Sequence, residues 1–259
     1  MPTPSRQYAF TLIELLVVVS IVALMLALLL PVLGSARASA QATLCLSNQK
    51  QTTAALLNYA GEHDGYLMHY AKRDAHGVRW WFGYERGGPG SGIGRPLDRS
   101  RGPLAAYLGQ DIQEALACAA FPADDPGFVA KFERRSAHFG YNGGLVWPFP
   151  LGRTPRRLSE VGSTSEVFAF ADALHQDSQA DRFYEPHTVA YRRPGRVAGT
   201  AHFRHEQRAN TAYLDGHAQA LDLPDRETIW RTIADAPLAN LDTTDGEGTR
   251  YGFKTWTRR

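Results

Sequence analysis

An α+β architecture, with one long N-terminal helix ahead of a head built on antiparallel strands, is what the sequence predicts. Three observations carry that prediction. An apolar run from Leu15 to Leu30, interrupted only by Ser20, is followed by an Ala-, Leu- and Gln-rich stretch without a helix breaker from Ser35 to Tyr59. The segment Glu166-Val-Phe-Ala-Phe-Ala-Asp172 alternates and is rich in strand formers. Asp215-Gly216 separates two strand-like segments, 210–214 and 217–221, which is a strong hairpin signal. Beyond the apolar run about 200 residues remain, enough for one sizeable head or two small ones. With 44% hydrophobic and 21% charged residues, this remainder has the composition of an ordinary folded domain. The net charge of +2 provides no electrostatic footprint for nucleic acid, which is not an expected partner.

The N-terminus holds the most specific signal. A short polar, basic leader (Pro2 to Gln7, with Arg6) precedes Ala9-Phe-Thr-Leu-Ile-Glu14, and Glu14 stands at the mouth of the apolar run. The stretch from Phe10 to Leu33 is near the roughly 20 residues that span a bilayer. A carboxylate so close to a hydrocarbon core is expensive and marks a functional position. A cleaved secretory signal fits poorly, because the apolar core is long and Glu14 lies where such signals avoid acid. A plain signal anchor explains the hydrophobicity but leaves Phe-Thr-Leu-Ile-Glu unexplained.

This arrangement closely resembles the N-terminus of type IV prepilins and of the pseudopilins of type II secretion systems. The resemblance implies a structural subunit of a pilus-like or pseudopilus-like filament rather than an enzyme. A prepilin peptidase would cut between Ala9 and Phe10 and methylate the new amino group of Phe10. Glu14 would face the amino terminus of a neighbouring subunit and set the register of assembly. Opposite charges attract strongly in low dielectric, whereas either alone is penalised. Pro31 falls where many relatives carry a helix-loosening proline. The family prefers Gly before the cut, and this chain has Ala9 instead. The implied partners are the prepilin peptidase, other pilin or pseudopilin subunits, an inner-membrane assembly platform and the lipid bilayer. Arg6 before the apolar run agrees with a single-pass inner-membrane protein whose N-terminus is cytoplasmic and whose head lies in the periplasm or on the cell surface. The expected organisation is a leader at 1–9, a membrane helix or filament core at 10–33, an amphipathic continuation at 34–60 and a head at 61–259.

Phe10 to about Ala60 would form one bent rod of roughly 75 Å at 1.5 Å per residue. Gly61 and Asp64-Gly65 read as its stop and turn. A narrower resemblance begins in this region. Cys45-Leu-Ser-Asn48, Leu57-Asn-Tyr59 and His63-Asp-Gly-Tyr66 look like the prepilin-like family known by a C-terminal H-x9-DG signature. His205, nine intervening residues and Asp215-Gly216 complete that signature. Outside the inner membrane the two cysteines, Cys45 and Cys118, have an oxidising environment in which to pair. Closing about 70 residues would stabilise by roughly 3–4 kcal/mol in the chain-entropy account. Two buried free thiols are the alternative.

In the head, Trp80-Trp-Phe82 reads as a short strand, Gly87–Gly94 as a loop without a phosphate-binding pattern, and Pro103–Gly109 as a short helix. The 166–172 strand is expected to deliver Asp172 at its end. The polar interval 175–200 reads as a long surface loop. His205 precedes the hairpin and is expected to bond backbone near the turn or near Asp172. The sequence calls for no cofactor. A bound calcium or other metal remains an open alternative if Asp172, His202, His205, Asp215 and His217 converge. A hydrolase would need Asp172, His205 and a third polar group in a cleft. A membrane-tethered module for a polysaccharide or another ligand is the competing function, with Trp80, Trp81 and Trp147 as stacking surfaces. Asp225–Ile233 reads as a short amphipathic helix, and Tyr251, Phe253 and Trp256 as aromatics docked on the head.

Overall fold

The computed structural model describes residues 11–88, 93–109, 112–133, 135–146, 155–176, 182–189, 199–222, 231–233 and 236–239. The chain divides into two compact units, Met1–Ala40 and Gln41–Arg259. Helix α1, Leu12–Glu62, is continuous through Pro31, which lacks the N–H that would bond the preceding turn. In the first unit every described residue from Thr11 to Arg37 is exposed, including Leu12, Leu16, Leu24 and Leu30. Such a surface is covered in the cell by lipid or by other chains. Among the described residues this is the one helix long and apolar enough to cross a membrane.

In the second unit α1 changes character. Cys45, Gln49, Thr52, Thr53, Leu56 and Ala60 are buried at helical spacing, so one face lies against the head. The polar members of that face are only partly satisfied, since Gln49 Oε1 and Thr53 Oγ1 have no hydrogen-bond partner among the described residues. Thr52 Oγ1 lies 2.8 Å from Asn48 O and 3.2 Å from Ala115 O. The helix runs through Gly61, and the stop is Asp64-Gly65. These two residues take positive φ, 52° and 78°, and Gly65 N–H donates to Ala60 O at 2.9 Å.

Strands β1 (Ala71–Arg73), β2 (Gly77–Trp80) and β3 (Gly83–Arg86) make a small antiparallel sheet. Trp80-Trp81-Phe82 is therefore not a strand of its own. Trp80 ends β2, and Trp81 and Phe82 form the turn to β3. Both turn residues are fully buried and Trp80 is 9% exposed, so no tryptophan face is offered there to a ligand. Trp147 lies outside the described residues. After the short helices α2 (Ala105–Leu108) and α3 (Ile112–Ala115), Phe139–Asn142 forms β4 and Phe168–Gln176 forms β5. The interval expected to be one surface loop contains β6 (Phe183–Tyr184) and β7 (Thr188–Val189), with Glu185 and His187 buried between them. Glu185 accepts from Ser136 N at 2.9 Å, and the His187 ring packs against Trp80 and Phe82.

The larger sheet is completed by β8 (Gly199–His202), β9 (Arg208–Tyr213), β10 (Ala218–Asp222), β11 (Arg231–Ile233) and β12 (Ala236–Ala239). Its order is β10-β9-β5-β8-β12-β11, with β4 and β6 also on β5 and β7 on β4. All of these pairs are antiparallel except β4–β7. Residues 231–233 pair as a strand with β12 and are not the end of the expected helix, whose earlier residues lie outside the described ones. The α+β class with a long apolar N-terminal helix and antiparallel sheets in the head is thus the observed one. Leu56 sits in the main core beside Trp81, Phe139 and Phe170. Leu56→Ala is expected to lower stability by about 2–5 kcal/mol, while Leu44→Ala, on the exposed face of the same helix, changes it by less than about 0.5 kcal/mol. Urea unfolding of the detergent-solubilised monomer, followed by tryptophan fluorescence, measures the contrast.

Candidate functional site

Two places carry the residues singled out by the sequence. The first is the start of α1. Thr11 N–H and Oγ1 both donate to Glu14 Oε2 at 2.8 Å, and Glu14 N–H donates back to Thr11 Oγ1 at 3.2 Å. This is a capping box, in which a Thr and the acid three residues on satisfy helix donors reciprocally. The Thr-x-x-Glu spacing of residues 11–14 is the sequence signal for it. Unsatisfied donors at the edge of hydrocarbon are penalised, so the cap has its own value there. Ala9 and Phe10 lie outside the described residues.

The second place is the centre of the larger sheet. Strand β5 changes neighbour along its length. Phe168–Ala171 pair with β9, and Ala173–His175 pair with β8. Asp172 stands at the changeover, in the middle of the strand and not at its end as the sequence suggested. Where two partners diverge, backbone donors lose their ladder and need other acceptors. The Asp172 carboxylate supplies them. Asn210 N–H donates to Oδ2 at 2.8 Å, and Gln49 Nε2, from α1, donates to Oδ1 at 3.1 Å. The segment joining β8 to β9 brings two more groups. Arg204 Nε lies 3.8 Å from Oδ1 and His205 Nε2 lies 3.3 Å from Oδ2. Arg204 Nη2 donates to Ala173 O at 2.9 Å and to His138 O at 3.2 Å.

Asp172, Arg204 and His205 are all buried, Asp172 completely. Burial pushes the Asp172 carboxyl up, but Arg204, His205 and the Asn210 N–H outweigh it and hold the group below the ordinary carboxylate value. Burial, followed by Arg204, pushes His138 down to about 3, and its neutral Nδ1 takes the Cys118 N–H at 2.8 Å. Cys118 is disulfide-bonded to Cys45 of α1, with Cα atoms 4.9 Å apart and a sequence separation of 73. In the chain-entropy account a loop of that size is worth about 4 kcal/mol. His205 Nε2 lies 3.5 Å from Cys118 Sγ, so the histidine bridges the carboxylate and the disulfide.

Asp215 and Gly216 form the turn between β9 and β10. Gly216 takes φ 91° and its N–H donates to Tyr213 O at 2.9 Å, while Asp215 Oδ1 accepts from His217 N–H at 3.0 Å and lies 2.6 Å from His217 Nδ1. The turn also docks on the head, since Leu214 N–H and Asp215 N–H donate to Val167 O and Thr164 O. The five residues considered as metal ligands thus fall into separate groups, with Asp172 and His205 beside Arg204 and Asp215 paired with His217. The ligand-type side chains that do gather among the described residues are Cys45, Cys118 and His205, and two of these are spent in the disulfide. A buried carboxylate beside a guanidinium is not a cleft in which a hydrolase could reach substrate.

A tight turn at this centre has no signal in the sequence. His205–Arg208 is a two-residue hairpin turn in which Glu206 and Gln207 take positive φ, 52° and 64°. Such turns ordinarily use Asn-Gly, and neither residue here advertises it.

Residues 4–30 match the family described as the prokaryotic N-terminal methylation motif. No curated protein and no solved structure matches the chain. The motif and the apolar helix that follows it support a type IV pilin-like precursor, anchored by one N-terminal helix, from a class whose members are structural.

Asp172→Asn is expected to lower stability at neutral pH by about 3–5 kcal/mol, because Arg204 is left buried without its counter-charge. The folded Asp172 value lies below the unfolded one. Its contribution is therefore complete above roughly pH 4 and fades as pH falls through the folded value. Unfolding followed from pH 7 to pH 2 should show a shallower acid decline in the variant. Gln207→Gly relieves a left-handed non-glycine residue and should raise the denaturation midpoint, equivalent to about 1 kcal/mol.

Proposed function

We propose that this chain is a subunit of a type IV pilus-like or type II pseudopilus-like filament, cut by a prepilin peptidase between Ala9 and Phe10 and methylated on Phe10. The observation that carries the reading is the coincidence of the N-terminal methylation motif at residues 4–30 with a helix whose apolar surface is exposed along its first half. A helix of this kind lies in the bilayer before assembly and against neighbouring subunits after it. The prepilin peptidase, sister subunits and an inner-membrane assembly platform are the partners this requires, with the N-terminus cytoplasmic and the head outside the inner membrane. The buried disulfide agrees with an oxidising compartment for the head. Ala9 is small enough to stand in for the usual Gly before the cut. The three signature residues His205, Asp215 and Gly216 favour the H-x9-DG branch of prepilin-like proteins. In this chain their geometry is that of the turns and the buried carboxylate that hold the sheet.

Glu14 carries two roles in this reading, cap and register, and one substitution separates them. Glu14→Gln keeps an acceptor for Thr11 but removes the charge that would meet a neighbour's amino terminus. The variant should be inserted and cleaved like the native chain and be largely lost from sheared filaments, as measured by immunoblot of filament and membrane fractions. Native-level incorporation of Glu14→Gln would leave Glu14 as a helix cap alone.

A further inference from the structure

A groove of about 640 Å³ lies on the head, bounded by Tyr84, Arg86, Leu97, Asp98, Arg101 and Glu133. Its two guanidiniums are exposed, and among the described residues neither has a carboxylate partner. Arg101 is nevertheless held in place. Its guanidinium carbon stands 3.9 Å from the centroid of the Tyr84 ring. That ring is itself fixed, because Tyr84 is 3% exposed and its Oη donates to Asp74 Oδ1 at 2.9 Å. Tyr84 and Asp98 also exchange backbone hydrogen bonds of 2.7 and 2.9 Å. The Asp98 carboxylate accepts from Ser100 N–H and Oγ at 3.1 and 2.6 Å, which locks the single 3-10 turn Arg99–Arg101.

An arginine pre-set by ring stacking and by its own turn, beside a second unpaired arginine, is suited to an oxyanion that it can meet with paired N–H groups. Little rotamer entropy remains to be lost on binding. Glu133 and Asp98 in the same groove narrow the class. They repel a phosphate or sulfate polymer of high charge density, while their oxygens accept hydroxyl donors. A carboxylate flanked by hydroxyls satisfies both halves of the groove. We propose that this groove binds an acidic saccharide of the uronate type, with Arg86 and Arg101 on the carboxylate and Glu133 accepting from ring hydroxyls. The site is separate from the tryptophans expected to stack on sugars, which lie in the core. It is also independent of whether the chain assembles into a filament.

The test is isothermal titration of the full chain in zwitterionic detergent with a short oligogalacturonate, a neutral oligosaccharide of the same length, a sulfated oligosaccharide and inorganic phosphate. The oligogalacturonate should bind, and the neutral sugar should bind at least about tenfold more weakly, the loss expected for one charge-assisted pair. Arg86→Gln and Arg101→Gln should each weaken uronate binding by a similar factor. Arg86 is exposed and its side chain has no ion-pair or hydrogen-bond partner among the described residues, so Arg86→Gln does not depend on the fold surviving a core change. Glu133→Ala should weaken the uronate and strengthen the sulfated sugar. Absence of uronate binding at millimolar concentration, binding unaltered in both arginine variants, or tighter binding of the sulfated sugar or phosphate by the native chain would each overturn the assignment.

Discussion

A single buried carboxylate organises the head. Asp172 sits where β5 leaves one neighbour for another, and a sheet that divides at its centre exposes donors to a place without water. The carboxylate takes the N–H of Asn210 and the amide of Gln49 from the helix, and lies beside the Arg204 guanidinium and the His205 imidazole from the β8–β9 connection. One side chain thus ties helix, sheet and turn together. Asn210 also reaches back, with its Nδ2 donating to Ala42 O of α1 at 2.9 Å. The Cys45–Cys118 bond lies against the same histidine, so the covalent and the electrostatic ties between helix and head meet at one point. Buried charges of this kind are poor sources of net stability against an apolar alternative, but removing one partner leaves the other stranded.

That arrangement gives the H-x9-DG spacing a physical sense. The histidine and the Asp-Gly pair mark the two ends of β9. His205 begins the tight turn into the strand and anchors it to Asp172, and Gly216 supplies the positive φ that ends it, with Asp215 bound to the backbone beneath. The spacing is the length of a strand with its two turns, and no ligand is needed to account for it.

The features legible in the sequence were those with local causes. The apolar run, the breaker-free continuation, the strand around Phe168–Phe170 and the Asp-Gly hairpin all follow from periodicity or turn chemistry within a few residues. What escaped had distant causes. The segment 182–189 is polar and holds Pro186, yet Glu185 and His187 are buried because Ser136 and the Trp80–Phe82 aromatics wait for them across the fold. Trp80–Phe82 has strand composition, but Trp81 and Phe82 form the turn between β2 and β3, and the close approach of those strands depends on Gly77 at the far end of the hairpin. A Cβ on Gly77 would lie 2.1 Å from Glu85 O. The position of Asp172 within its strand depended on which neighbours β5 pairs with, and that is a property of the sheet as a whole. The capping box of Thr11 and Glu14 is different, since its spacing was in plain view.

The central claim is that this chain enters the prepilin processing route despite Ala9. Intact mass and N-terminal sequencing of the protein extracted from its native membrane test it most directly. The account predicts a mature chain that begins at N-methylated Phe10. A membrane-bound chain that retains Met1 and its unmodified leader would contradict it, and would leave a tethered head with no route into a filament.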